Sequence, residues 1–338
     1  MHARHWLALT AAAASIGFAG FVVSRPDGNG SASDGAVRQP QTSSRITEPA
    51  IPLQAASAES KLALTFGVYS FKKPTEVYKE FEPAIDELRQ NLEITLGRAV
   101  EIEITVAKTY EDALSAFVAG KVDFVRFGPA SYVMAKQAEP GVQLLVAEEE
   151  GGQKRCKGVF VVRKGCDIQS LADLKGKRVA FGDDKSTIGR YLAQAELIKA
   201  GIHAADLAEF KYFDRHDNVF KTVEIGDFDA GAVHIATFEQ LNKDGGKLRV
   251  VASFDNVGKP WIARAGLDSA VVAALRKSLL QLKCDTARKA LGVDGFMTTV
   301  DTDYDFVRAG MKKSQEFGDH ARGEPVEPAA QPPPAKGR

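Results

Sequence analysis

The sequence predicts an α/β fold of two lobes, each a mostly parallel sheet flanked by helices. Three observations carry that expectation. The chain has 338 residues, about twice a usual domain length. Short apolar runs of strand length alternate with stretches of helical periodicity along its middle. One strand–helix unit recurs, in layout, about a hundred residues further on.

The elements follow in order. Residues 62–69 (LALTFGVY) read as a buried strand. A helix follows Pro83, with Ile85, Leu88, Leu92 and Leu96 on one face and Gly97 at its end. Residues 100–107 (VEIEITVA) alternate as a strand. Thr109 caps a helix carrying Leu114, Phe117 and Val118, with Gly120 beyond it. Residues 122–127 form the next strand, and Pro129 opens another helix. This order implies parallel strands with helices on both faces. Strands at 143–147, 158–162, 177–182 and 209–213 follow, with a helix at 186–200 and a helix–strand–helix set over 219–241.

That last set echoes the first lobe. AFVAGKVDFVRFGP (116–129) and TVEIGDFDAGAVHI (222–235) both run from an apolar helix end through Gly and Asp into a strand. Gly120 and Asp123 thus correspond to Gly226 and Asp229. A glycine helix stop is common to many α/β units, so the echo is also what ordinary capping produces. Read as two similarly built lobes, it places residues 61–160 and 254–317 in the first and 161–253 in the second. Strands at 248–253 and 261–264 then return to the first lobe.

The flanks differ from this body. Residues 6–23 are apolar and without charge, and as a helix would span roughly 27 Å, nearly a bilayer core. With no clean small-residue cleavage site after them, residues 1–23 read as an export signal that is retained as an anchor rather than removed, with cleavage as the alternative. Residues 24–60, rich in Ser, Gly, Pro and Gln, read as a disordered linker, and 318–338 as a Pro-rich disordered tail.

Composition excludes some functions. There are 44 acidic and 44 basic residues, so no basic excess points to nucleic acid. Three cysteines are too few for a disulfide scaffold, and no Cys/His spacing resembles a metal site. Cys156 and Cys166 flank an extended segment and are too far apart to pair, which leaves Cys284 to pair with one of them in an oxidising compartment.

Ligands of parallel α/β sheets sit beyond the strands' carboxyl ends, where helix N-termini converge. Asp184-Lys185-Ser186-Thr187-Ile188-Gly189 lies between a strand and a helix. Two hydroxyls there join the N–H groups of Thr187, Ile188 and Gly189 in an uncapped first turn, which suits an anion. Plain N-capping accounts for one hydroxyl but not for two in succession. His216 opens the next helix, Tyr110 opens one in the first lobe, and Phe127-Gly128 ends a strand where Gly lets the backbone approach closely. Tyr69, Arg126, Ser131, His234 and Lys259 complete the candidate set.

The segments VDFVRFGPASYVMA, LADLKGKRVAFGDDKSTIGRYLAQAELIKAGI and RHDNVFKTVEIGDFDAGAV, in this order and spacing, resemble the phosphate/phosphite/phosphonate-binding family of ABC-transporter periplasmic substrate-binding proteins. The resemblance implies a type II periplasmic binding protein-like fold, its lobes joined by hinge-crossing strands and closing on the ligand. It implies a periplasmic protein that binds a small phosphorus oxyanion, uses no cofactor and hands its ligand to an inner-membrane ABC permease. It assigns Ser186 and Thr187 to the phosphoryl oxygens, joined by His216 and, from the other lobe, by Tyr110. Two departures stand out: Phe127 lacks the hydroxyl of a Tyr found there in some members, and Ile188 replaces a hydroxyl residue. Where members that take aminoalkylphosphonates hold acids, this chain has Ala236 and Lys259. Lys259 with Arg126 would repel an ammonium and favour a small or more anionic ligand.

Two other classes compete. An enzyme on this architecture would need a nucleophile or paired-carboxylate motif; Asp183-Asp184 is better read as a turn. A membrane-tethered ligand sensor of the same fold, or a binder of sulfonate or nitrate, fits the same pattern.

Overall fold

The computed structural model describes residues 61–243 and 245–318. The segments read as an export signal or anchor and as a linker lie outside these residues, as does the tail beyond 318. Among the described residues, no helix is long and apolar enough to cross a membrane.

The first lobe opens with β1 (Leu62–Tyr69), α1 (Pro74–Leu96), β2 (Val100–Ala107), α2 (Tyr110–Val118), β3 (Phe124–Arg126), α3 (Pro129–Ala138) and β4 (Gln143–Glu149). The second comprises β5 (Arg155–Arg163), β6 (Arg178–Phe181), a π-helical turn (Thr187–Leu192) leading into α4 (Ala193–Lys199), β7 (Glu209–Tyr212), α5 (His216–Ile225), β8 (Ala230–His234), α6 (Ile235–Leu241) and β9 (Leu248–Val257). The chain then returns as β10 (Pro260–Ala263), α7 (Ser269–Leu280), α8 (Asp285–Leu291), β11 (Gly295–Met297) and α9 (Asp305–Ser314).

The strand orders are β11-β4-β10-β3-β1-β2 and β7-β6-β8-β5-β9. Parallel pairing is confined to β1 with β2 and β3, and to β6 with β7 and β8. The remaining pairs are antiparallel, so each sheet is mixed rather than mostly parallel. The reason is connectivity: strands that follow a helical crossover run parallel, and those entering from the other lobe do not. β5 and β9 pair from Arg155↔Val257 to Arg163↔Leu248, both within the second sheet. The expected changeovers at residues 160 and 254 therefore fall inside these strands, and the chain passes between sheets at 150–154 and 258–259. Residues 248–253 accordingly stay in the second sheet.

Local sequence explains most elements. The face of α1 that carries Val77, Phe81, Ala84, Ile85, Leu88 and Leu92 is buried against the first sheet. That stripe begins before Pro83, so the helix starts at Pro74 and keeps Pro83 inside it, a cost that the buried face outweighs. Thr109 caps α2 by accepting from Asp112 N–H at 3.0 Å.

The echo between lobes is a structural device. Asp123 donates its N–H to Thr65 O (3.0 Å) while its carboxylate accepts from Thr65 N–H (2.8 Å). Asp229 does the same with Arg178, at 2.9 Å in both directions. Each aspartate clamps the start of a strand to the neighbouring parallel strand.

The C-terminal helix is shared. α9 packs on α3 of the first lobe and on α4 and the π turn of the second, and Phe317 joins the second lobe's core. Assigning 254–317 to the first lobe alone thus misses this bridging end. All three cysteines are free thiols. Cys284 packs against the first lobe's core and Cys166 against the second's, so the expected pairing with Cys284 is not formed.

Candidate functional site

Between the lobes lies a cleft of about 380 Å³. Its second-lobe wall is the turn after β6. Gly182 donates to Gly189 O at 2.8 Å, and a Cβ on Gly189 would stand 2.6 Å from Gly182 Cα, so neither position admits a side chain. This contact widens the first helical turn, where Tyr191 N–H reaches Ser186 O at 3.2 Å in the i→i+5 pattern. Ser186 Oγ accepts from Gly189 N–H at 3.0 Å. Gly189 is therefore spent on shaping the turn, whereas no acceptor is bonded to the N–H groups of Thr187 and Ile188 among the described residues.

Thr187 Oγ1 accepts from Ala130 N–H at 2.9 Å, capping α3 from the other lobe. Both hydroxyls, having accepted, keep a proton to donate. Opposite them, the hydroxyl-bearing Tyr110 and Tyr69 line the same cleft, the two rings standing 3.9 Å apart. Burial pushes both phenol pKa values up, so both present un-ionised hydroxyls. His216 stands at the start of α5, whose cap residue Arg215 offers no side-chain bond. Burial, and then the charge of Lys259, bring its pKa down to about 4, so it is neutral at pH 7.

A second wall is charged. Arg126 grips Glu148 with two guanidinium nitrogens, one at 3.0 Å, and Trp261 Nε1–H donates to the same carboxylate at 3.1 Å. Burial opposes the Glu148 charge, but Arg126 and Lys259 outweigh it and hold its pKa below the usual range. Glu150, Cys156 and His234 lie together here, their donor atoms within 4.8 Å of one another. The chemistry of this trio does not suit a cation. Ala236 N–H donates to His234 Nδ1 at 3.1 Å, which assigns the proton of the neutral ring to Nε2, facing Glu150 at 3.8 Å. Burial pushes the Cys156 thiol up to about 12, and Lys259 adds a positive charge nearby.

Of the residues expected from sequence, Ser186, Thr187, Ile188, His216, Tyr110, Phe127, Gly128, Tyr69, Arg126, His234 and Lys259 all line this cleft. Gly189 and Ser131 do not; Ser131 is buried on α3 behind it. Sequence reasoning missed Glu148, Glu150, Cys156 and Asn256. The acidic run closing β4 was the available signal, since it lies at a strand's carboxyl end. Arg126, expected as a free charge, is closed on Glu148.

With this geometry in view, likeness to known proteins is decisive for the family. A profile described as "ABC transporter, phosphonate, periplasmic substrate-binding protein" matches residues 66–304. The chain belongs to that family. Among the family's members, it is 27% identical over 270 residues to the "Phosphate-import protein PhnD" of Mycolicibacterium smegmatis, covering 70% of this chain and 82% of that one. It is 28% identical over 196 residues to the "Probable ABC transporter phosphite binding protein PhnD1" of Prochlorococcus marinus. That match covers 53% of this chain and spans 64% of the relative's length. The solved structure of PhnD1 in complex with methylphosphonate shares the fold, with a TM-score of 0.62 at 22% identity, over 74% of this chain and 97% of the other. The family is one of periplasmic substrate-binding proteins, which places this member in the periplasm.

Proposed function

We propose that this chain is the solute-binding component of an ABC-type uptake system. It takes a small phosphorus oxyanion (phosphonate, phosphite or phosphate) into the interlobe cleft, delivers it to an inner-membrane permease and does not transform it. The observation that carries this reading is the convergence of Ser186 and Thr187 hydroxyls, the free N–H groups of Thr187 and Ile188, and the Tyr110 hydroxyl on one space. A phosphoryl group accepts through every oxygen, and four or five such charge-assisted bonds contribute roughly 6–15 kcal/mol before association costs. After those costs a Kd near micromolar is the natural scale. The names of the two curated relatives, phosphite binding and phosphate import, support the same ligand class. Against catalysis stands the neutral His216, whose buried Nδ1 has no hydrogen-bond partner among the described residues to orient the ring. In this reading residues 6–23 direct export and remain as a tether; the mass of the mature protein decides between tether and cleavage.

Calorimetric titration of the ligand-free protein with phosphite, phosphate, methylphosphonate, sulfate and nitrate tests the proposal. Saturable binding of a phosphorus oxyanion, weakened about tenfold or more by Ser186→Ala or His216→Ala, is the expected result. Binding of sulfate or nitrate alone would refute it, and turnover of a phosphate ester would move the chain to the enzymes.

A further inference from the structure

The hinge crossing delivers one lysine into the cleft. Gly258 passes so close to the first sheet that a Cβ there would lie 2.1 Å from Glu148 O. Lys259 follows, held by Glu148 N–H donating to its carbonyl at 3.0 Å. Its side chain is exposed along the cleft wall. The other cations that line the cleft are already committed: Arg126 to Glu148, and Lys72 to Glu80 at 2.5 Å. Among the described residues, no carboxylate lies within 4.0 Å of the Lys259 ammonium. The His234 Nε2–H, its tautomer set by Ala236, is a second donor on the same wall. Of the carboxylates nearby, Glu148 is neutralised by Arg126 and bonded to Trp261. Glu150 faces His234 and has its pKa raised by burial.

Space agrees with charge. Methylphosphonate has five heavy atoms and, at about 30 Å³ each as in liquid water, fills roughly 150 Å³. The cleft offers about 380 Å³, enough for a substituent of several more atoms.

We infer that Lys259, with His234 beside it, is the subsite for a second anionic group, so that the preferred ligand is a phosphonate bearing a carboxylate. The inference rests on the phosphorus-oxyanion reading above and narrows its ligand class. A carboxylate would accept from the ammonium and from the imidazole N–H while the phosphoryl group occupies the Ser186–Thr187 turn.

The test is titration of the full chain, wild type and Lys259→Met, with phosphonoacetate, 3-phosphonopropionate, methylphosphonate and 2-aminoethylphosphonate. In the wild type one carboxylate ligand should bind about tenfold or more tighter than methylphosphonate, the scale of one charge-assisted hydrogen bond. In Lys259→Met that ratio should fall to about one. Equal or tighter binding of methylphosphonate or of the amino compound overturns the inference, and so does a ratio that survives Lys259→Met. Those outcomes leave the broader function standing. Failure of all four compounds to bind the wild type overturns the inference, and failure of phosphite and phosphate as well removes the broader function.

Discussion

Thr187 Oγ1, on the second lobe, lies 2.9 Å from the backbone nitrogen of Ala130 on the first, so a ligand-site hydroxyl also caps a helix across the cleft. α3 begins with Gly128 and Pro129, neither of which supplies a side-chain cap, and Thr187 fills that role. The bond is buried, and its loss leaves an N–H without a partner, at a cost of about 1–3 kcal/mol. Thr187→Val keeps the shape and removes the acceptor. The expected outcome is a more open ligand-free protein, with a larger radius of gyration by solution X-ray scattering, and oxyanion affinity at least about fivefold weaker. Unchanged scattering would show that the lobes are held elsewhere.

Glu148 tests the charged wall. Its side chain is 3% exposed and bonds both Arg126 and Trp261. Replacing it with Gln strands a buried guanidinium, which typically costs about 3–5 kcal/mol. Thermal unfolding should drop by roughly 10 °C. Because the folded pKa of Glu148 lies below its ordinary value, the wild type keeps this contribution above pH 4.5 and loses it as pH falls through the lowered pKa. The gap between wild type and variant should therefore persist above pH 4.5 and narrow as pH falls through the lowered pKa.

Asp183 runs the other way. Burial raises its pKa to about 6, with Asp184 and Asp214 adding repulsion. The folded state holds this proton more tightly than the unfolded chain, so stability is lost as pH rises from about 4 to 6 and stays reduced above. Asp183→Asn can still accept from Lys185 N–H through its amide oxygen, a contact of 2.7 Å in the wild type. At pH 7.5 the variant should be stabler by about 1 kcal/mol, after discounting for solvent at this half-buried group, or roughly 2–4 °C. At pH 3.5 the two should melt together; a gain that persists there would mean that the carboxylate's charge is not its source.

Gly258→Ala should disturb the hinge. An added methyl would stand 2.1 Å from Glu148 O, so β10 or β4 must shift. A loss of about 2 kcal/mol or more is expected in denaturant unfolding, together with weaker ligand binding. A neutral result would show that the crossing is pliant.

Much of this protein was legible from sequence because local rules are strong where apolar period and caps agree. Thr109 capping α2 and the Gly-Asp echo at Asp123 and Asp229 are short-range signals, and each appears where expected. Pro83 shows the limit: a local rule put the helix start there, and the buried stripe from Val77 overrode it.

By itself the sequence determined an α/β body, the hydroxyl-bearing turn at Ser186-Thr187 and the helix starts at Tyr110 and His216, because each depends on residues close together in the chain. Only the tertiary structure decided that Arg126 is spent on Glu148, 22 positions away, that Thr187 caps the helix at Ala130, 57 positions away, and that Lys259 is left uncommitted. The physical reason is that charge pairing and burial depend on distance in space. Residues far apart in the chain meet only when the two sheets exchange strands at the hinge, and which charge remains free for a ligand is settled there.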